Sequence, residues 1–342
     1  MAVPRRFGGL DLPIGEQASI LAEIASGDGS TGWVASLWTA NTWVCQLYPD
    51  QAQEELFAGG SVRVSGAFTP TGTLTPTSGG YLLNGRWKWN TGCRGARWDG
   101  LAALLEQPDG PPEVYYVMAP VAELALADDW HASAASATGS STTTAKNVFI
   151  PGYRVISLSQ ALTGTTGGRS NTGATGRNYG FFGYIMAESV GAFIGMARGA
   201  YELFLARLPG RGITYTPWTD QSQSPVTHIQ VATAANKIAA AEALSRRSID
   251  LLQERADAGE QPTLEEKAAI RGQSAFAAEL ARQAVEVLYT ASGASVIMRD
   301  VPFQRFHRDI QGLSLHAAMA LNSNLEVHGR VAVGLDPATP FL

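Results

Sequence analysis

The feature that most constrains this chain is the order in which its hydrophobic periodicity changes. Helical spacing holds over residues 1–58, short alternating runs take over from 59 to 156, and helical spacing returns after Tyr179. Helices and strands segregated in this way form separate layers, unlike the alternation of a parallel βαβ sheet. The expected class is therefore α+β. Its parts are an N-terminal helical domain (1–58), a central antiparallel β domain (59–156), a flexible linker (157–178) and a C-terminal helical bundle (179–342).

In the first part, Ile14, Ala18, Leu21 and Ala25 recur at helical spacing, Gly27–Gly32 interrupts, and Trp33–Leu47 resumes the apolar pattern. In the second, Ser61–Val64, Leu101–Leu105, Val114–Met118 and Val148–Ile150 read as strands. Asn84-Gly85, between Tyr81–Leu83 and Arg86–Trp89, has the composition of a two-residue hairpin turn. Residues 157–178 are rich in Gly, Thr and Ser and lack the Lys-Ser/Thr ending of a phosphate-binding loop. In the last part, one helix carries Val231, Ile238, Ala241, Ser248 and Leu251, and the next opens with a Thr263–Glu266 capping box. A final helix is expected from Gln304 to about Val327, and the many alanines suit closely approaching axes.

Composition removes several classes of function. With 45% hydrophobic residues the 342-residue chain can bury a large core, and a net charge of -5 leaves no footprint for nucleic acid or an anionic membrane. No apolar stretch reaches the roughly 20 residues of a membrane span. The start, Met1–Arg6, has no apolar run of the kind a signal peptide needs. Cys45 and Cys93 are too few for a disulfide framework or a zinc site, so a reducing, cytoplasmic setting is expected. No Gly-x-Gly-x-x-Gly fingerprint marks a nicotinamide site within the chain.

Three stretches resemble the acyl-CoA dehydrogenase superfamily. They are Gly85-Arg86-Trp87-Lys88-Trp89-Asn90-Thr91-Gly92; Trp130–Val155 with Ala137-Thr138-Gly139-Ser140 and Val148-Phe149-Ile150-Pro151; and Ser292-Gly293-Ala294 followed by Pro302–Asp309. Pro4-Arg5-Arg6-Phe7-Gly8-Gly9-Leu10, Gly29–Trp33 and Gly329–Pro337 resemble its branch of flavin-dependent hydroxylases. The resemblance implies a barrel-like β domain and a four-helix bundle. It also implies a homotetramer organised as a dimer of dimers. The N-terminal helical domain is expected to be shortened, because the family has about one or two more helices before the stretch that begins here at Pro4.

The function it implies is that of the oxygenase component of a two-component monooxygenase. Reduced FMN or FAD would come from a separate NAD(P)H-dependent flavin reductase, and molecular oxygen would be the co-substrate. A flavin C4a-hydroperoxide would hydroxylate a small aromatic or amine substrate. A dehydrogenase or oxidase, and an inert flavin-fold partner protein, are the competing readings. Against dehydrogenation, the family's Glu-Gly-Thr base is absent: the region after Arg308-Asp309 reads Leu313-Ser314-Leu315-His316-Ala317-Ala318.

By the same resemblance, Thr91 would bond the flavin N5 edge and Trp89 would lie along the flavin; the alternative is that Trp87 and Trp89 only pack the β core. His316 would orient or deprotonate the substrate, or be a buried histidine bonded to a helix carbonyl. Asp309 would orient a neighbour or form an ion pair with Arg308. Ser65 would touch substrate or simply end a strand. Arg211 would meet flavin phosphate or lie solvated in a loop, and Ser140, Ser292 and Gly293 would approach the flavin tail. His131 and His228 are weaker candidates, and His307 and His328 are expected at bundle surfaces or subunit contacts.

Overall fold

The computed structural model describes residues 1–170 and 178–342. That part of the glycine-rich stretch lying in 171–177 falls outside the described residues. The chain opens with α1 (Ile14–Gly27), α2 (Gly29–Val44) and α3 (Asp50–Leu56). The interruption at Gly27–Gly32 is a single residue, Asp28, whose carboxylate accepts from Thr31 N at 2.9 Å and caps α2.

Seven strands follow: β1 (Val64–Thr77), β2 (Gly80–Trp87), β3 (Trp98–Gln107), β4 (Gly110–Pro120), β5 (Ala125–Leu126), β6 (Thr143–Pro151) and β7 (Val155–Ser157). They form one sheet in the order β5-β6-β2-β1-β3-β4-β7. The expected antiparallel, barrel-like domain is corrected on two counts. β1 and β3 pair in parallel, and the sheet is open, because its outer strands β5 and β7 have only two and three residues. The hairpin is also displaced. Ser78-Gly79 makes the β1–β2 turn, with Thr77 paired to Gly80. Asn84-Gly85 lies inside β2, at a register shift against β6. There the Asn84 side chain clamps Asn147, accepting from its N–H at 2.8 Å and donating to its Oδ1 at 3.0 Å. Gly85 faces Gly72 so closely that a methyl group on Gly85 would lie 2.5 Å from the Gly72 Cα.

Within the expected linker, Leu158–Thr163 forms α4, anchored by buried Leu158, Ala161 and Leu162. The C-terminal helices are α5 (Phe181–Arg207), α6 (Pro225–Asp257), α7 (Leu264–Ala291), α8 (Phe303–Leu313) and α9 (Leu321–Ala332). The capping box at Thr263 and Glu266 is present. The single last helix expected from Gln304 to Val327 is two. After α8 the chain turns, and the carbonyl of His316 accepts from the N–H groups of Met319 and Ala320. Asn324 then donates to the carbonyls of Ala318 and Ala320. Three long helices and two short ones therefore stand where a four-helix bundle was expected.

The helical layers meet through α5, which is buried along most of its length. Gly191, Gly195 and Gly199 lie on one face at a four-residue interval. Added methyl groups there would sit 2.5, 2.1 and 2.2 Å from the carbonyl oxygens of Ala18, Ala22 and Ser26. The backbones of α1 and α5 thus touch, with no room for a side chain. Gly195→Ala must push the helices apart, and overpacking of this kind costs about 1–3 kcal/mol. A clear fall in the melting temperature is expected by calorimetry; an unchanged one would refute the tight contact.

Candidate active site

Three separated segments converge at the N-terminal end of α2. Asp309 of α8 is buried. One oxygen accepts from Ser30 Oγ at 2.9 Å and the other from the Ala135 N–H at 2.7 Å. Ala135 has φ +50°, an unfavourable conformation for a non-glycine residue, and this bond helps hold it. Arg308 donates to the Ser133 carbonyl and to Gln304. The expected Arg308–Asp309 ion pair is therefore not formed, and both residues grip the 133–135 loop.

That loop leads into Thr138 and Ser140, whose hydroxyls lie 2.7 Å apart; Ser140 in turn lies 2.8 Å from the Thr91 hydroxyl. Thr91 and Ser140, which the resemblance assigned to the flavin edge and the flavin tail, are thus brought into one hydroxyl chain. Trp89, two residues before Thr91, has φ +60° and is 74% exposed, whereas Trp87 is buried with its Nε1–H on the Ala102 carbonyl. Only Trp87 packs the β core. Asn90, between Trp89 and Thr91, donates to Asp99 Oδ2 at 2.6 Å and Thr143 Oγ1 at 2.8 Å. Ser65 is fully buried and donates to Asp99 Oδ1 at 2.9 Å. It lies within the sheet, with its hydroxyl engaged by the Asp99 carboxylate of β3. Burial pushes Asp99 up to about 6.

His316 sits in the turn between α8 and α9, edge-on to Trp33 with ring centroids 5.2 Å apart; Trp33 in turn meets Phe193. The residue as a whole is exposed, yet the protein packed around its ring desolvates the charged form and pushes its pKa down to about 4. The ring is neutral at pH 7. The Ala318 N–H points at Nδ1 at 3.3 Å, which places the ring proton on Nε2. His316 therefore presents a donor. Beside it opens a cavity of about 870 Å³, lined by Ser133, Ala134, Arg308, Leu315 and Met319 among others.

Arg211, Ser292 and Gly293 form a second set. Arg211 donates to the Ser292 carbonyl and to Ser295 Oγ at 2.9 Å, so it is not a free loop arginine. Gly293 has φ +69°. Arg207 also donates to Ser295, at 3.1 Å, and its Nη1 is buried without a partner. Burial and the charge of Arg211 hold Arg207 below its ordinary pKa. No hydrogen bond or ring contact joins this set to Thr91, His316 or Asp309 among the described residues. Of the other histidines, His307 pairs with Glu286 at 2.9 Å and stacks on Tyr289, and His228 bonds the Ser222 carbonyl.

Sequence reasoning missed Asn90, Asp99, Trp33, Arg207 and Glu188. For two of them a signal existed: Asp99 is the one acid in the apolar run Trp98–Leu105, and Glu188 the one acid in the apolar run Tyr184–Met196. Glu188 is fully buried on α5. Its Oε2 accepts from Ser36 Oγ at 2.9 Å and from Ser189, its Oε1 has no partner, and burial pushes its pKa up to about 8.

The model of the acyl-CoA dehydrogenase C-terminal domain matches residues 188–321. The flavin-dependent monooxygenase oxygenase subunit HsaA of Rhodococcus jostii (strain RHA1) is 30% identical over 323 residues, covering 92% of this chain and 83% of its own length. A pigment production hydroxylase of Rhodococcus sp. (strain ATCC 21145) is 29% identical over 342 residues, covering 99% of this chain and 87% of its own. XiaF from Streptomyces sp., in complex with FADH2 and glycerol, superposes with a TM-score of 0.93 at 26% identity, covering 100% of this chain and 87% of that one. The chain belongs to the acyl-CoA dehydrogenase superfamily, in its branch of two-component flavin-dependent monooxygenases. Within that branch it is an oxygenase component, and so an oxidoreductase.

Glu188 gives a pH dependence that can be measured. A glutamate in the unfolded chain loses its proton near 4.5, whereas buried Glu188 keeps it to about 8. Its folded-state pKa is raised, so its stabilising contribution is complete below the unfolded value and is lost as pH climbs to about 8. Glu188→Gln removes that titration. Its melting temperature should fall less than that of the wild type between about pH 5 and about pH 9; equal falls would contradict the burial argument.

Proposed function

We propose that this oxygenase hydroxylates a small phenolic or other aromatic substrate, using reduced FAD supplied by a separate NAD(P)H-dependent reductase. The observation that carries the reading is the neutral His316, presenting a donor beside Trp33 where a dehydrogenase would need a carboxylate. No nearby acid is suited to abstract a proton from a substrate. Asp309 is committed to Ser30 and Ala135, Glu279 pairs with Arg282, and Glu188 is sealed and protonated.

The residues present fit a flavin. Trp89 offers an exposed aromatic face next to the Thr91 hydroxyl. Arg207 has a buried, unpartnered Nη1 beside Arg211, a pair of cations suited to a phosphate. Bound reduced flavin would supply two electrons to oxygen, so that one oxygen atom enters the substrate and the other leaves as water. Thr91 would hold the flavin edge through its hydroxyl. His316 would orient the substrate oxygen through Nε2–H, the first of the two roles the sequence offered, acting as a donor and not as a base. Trp33 and Phe193 are buried behind His316 and back its ring. Relatives named as an FADH2-dependent resorcinol hydroxylase and a p-hydroxyphenylacetate 3-hydroxylase support an aromatic substrate, and the first supports FAD over FMN.

The separation of the Arg211 set from the Thr91 set supports a homotetramer, a dimer of dimers in which each arginine pair meets the phosphate of a neighbour's flavin. The protein would work in the cytoplasm.

Anaerobic titration with reduced FAD and reduced FMN tests the reading directly. Tight binding of reduced FAD, with weaker binding of FMN, is expected; no binding of either would end it. Thr91→Ala should raise hydrogen peroxide release when the loaded protein meets oxygen. His316→Ala should keep flavin affinity and lose roughly 10²-fold in hydroxylation of a phenol that the wild type accepts. Wild-type product yield in the second variant would remove His316 from the site.

A further inference from the structure

The segment that carries Trp89 and Thr91 is irregular. It lies between two residues with left-handed backbone, Trp89 at φ +60° and Gly92 at φ +70°. For a tryptophan this conformation is unfavourable, so neighbouring contacts must impose it. Backbone bonds run from Asn90 N to the Ser141 carbonyl and from Gly92 N to the Thr138 carbonyl. Both partners belong to the 138–141 loop and would move with it. The tether to the sheet itself is the Asn90 side chain, whose amide reaches Asp99 Oδ2 at 2.6 Å and Thr143 Oγ1 at 2.8 Å. Asp99 is fixed in turn by Ser65 at 2.9 Å, so β1, β3 and β6 all grip one fully buried amide.

A carboxylate is a costly way to fill space inside a sheet, and apolar residues of similar volume usually serve stability better. What a carboxylate adds is a short, directional, charge-assisted hydrogen bond. Here that direction lies along the Asn90 side chain, which leaves the backbone midway between the two residues that would face the flavin. Resting on the flavin-edge reading of Thr91 above, we infer that Asp99 is a positioning residue: through Asn90 it fixes the aim of Trp89 and Thr91 at the flavin. It touches neither flavin nor substrate.

The test uses Asp99→Asn, Thr91→Ala and the double variant, with two readouts. The first is amide hydrogen exchange over residues 88–95 in the ligand-free protein. The second is the rate of hydrogen peroxide release after the protein loaded with reduced FAD is mixed with oxygen, which needs no substrate. Asp99→Asn should speed exchange in 88–95 while leaving α6 and α7 as in the wild type. It should also speed peroxide release by about tenfold, the scale of a small misplacement of a positioned group. The double variant should release peroxide no faster than Thr91→Ala alone, since residues acting through one another are not additive. If Thr91→Ala speeds release and Asp99→Asn changes neither readout, or if the two effects add, the positioning role is wrong and the flavin-edge reading stands. If Thr91→Ala releases peroxide at the wild-type rate, the flavin-edge reading fails and takes this inference with it. Should Asp99→Asn not fold, Thr143→Val removes the other acceptor of the same amide; faster exchange and release are expected of it, and wild-type values in both would overturn the proposal.

Discussion

The contact on which the rest of the structure depends is the backbone-to-backbone seam between α1 and α5. Three glycines at a four-residue interval press against three carbonyls of α1 spaced at the same interval. Close packing of this kind leaves no slack, so the register of the two helices is fixed within a fraction of a turn. α5 is also the helix that carries Glu188 and Phe193 toward α2. The seam therefore sets how Ser36 and Trp33 of α2 meet their partners, and through Trp33 where His316 can rest. A site made of side chains from four elements gains its precision from a contact that has no side chains at all.

The same logic separates the residues that hold the site from those that would act in it. Asp309, Arg308, Asn90, Asp99 and Ser65 are all engaged with other protein groups. Trp89 and His316 are the residues left exposed. Polar residues in the interior work as fixings, bonded to partners from a different strand or helix. Asn90 Oδ1 and Glu188 Oε1 are nonetheless left without a partner, and Glu188 accommodates burial by keeping its proton.

The layer order was legible in the sequence because it rests on periodicity, and so was the Thr263–Glu266 capping box, which is entirely local. That Thr91 and Ser140 share one hydroxyl chain was not legible, because the residues lie 49 apart in sequence and the resemblance set them at different parts of the flavin. What escaped was decided by partners distant in sequence. Asn84-Gly85 has the chemistry of a turn, yet Asn84 bonds Asn147 and the pair becomes a kink within a strand. Ser65 looked available to a substrate until Asp99 of β3 claimed its hydroxyl. The last helix showed no strong breaker where it stops, because the break is held by the His316 carbonyl and the Asn324 side chain. The protonation of His316 depends on an N–H two residues on, which no periodicity reveals.

Asp309 joins Ser30, 279 residues away, and Ala135, 174 residues away. Contacts of such long range form late in folding, after loop closure across most of the chain. During synthesis the start of α2 and the 133–135 loop leave the ribosome well before α8 exists to fasten them. A nascent chain can assemble its first helices and its sheet while the seat of the chemistry remains unmade.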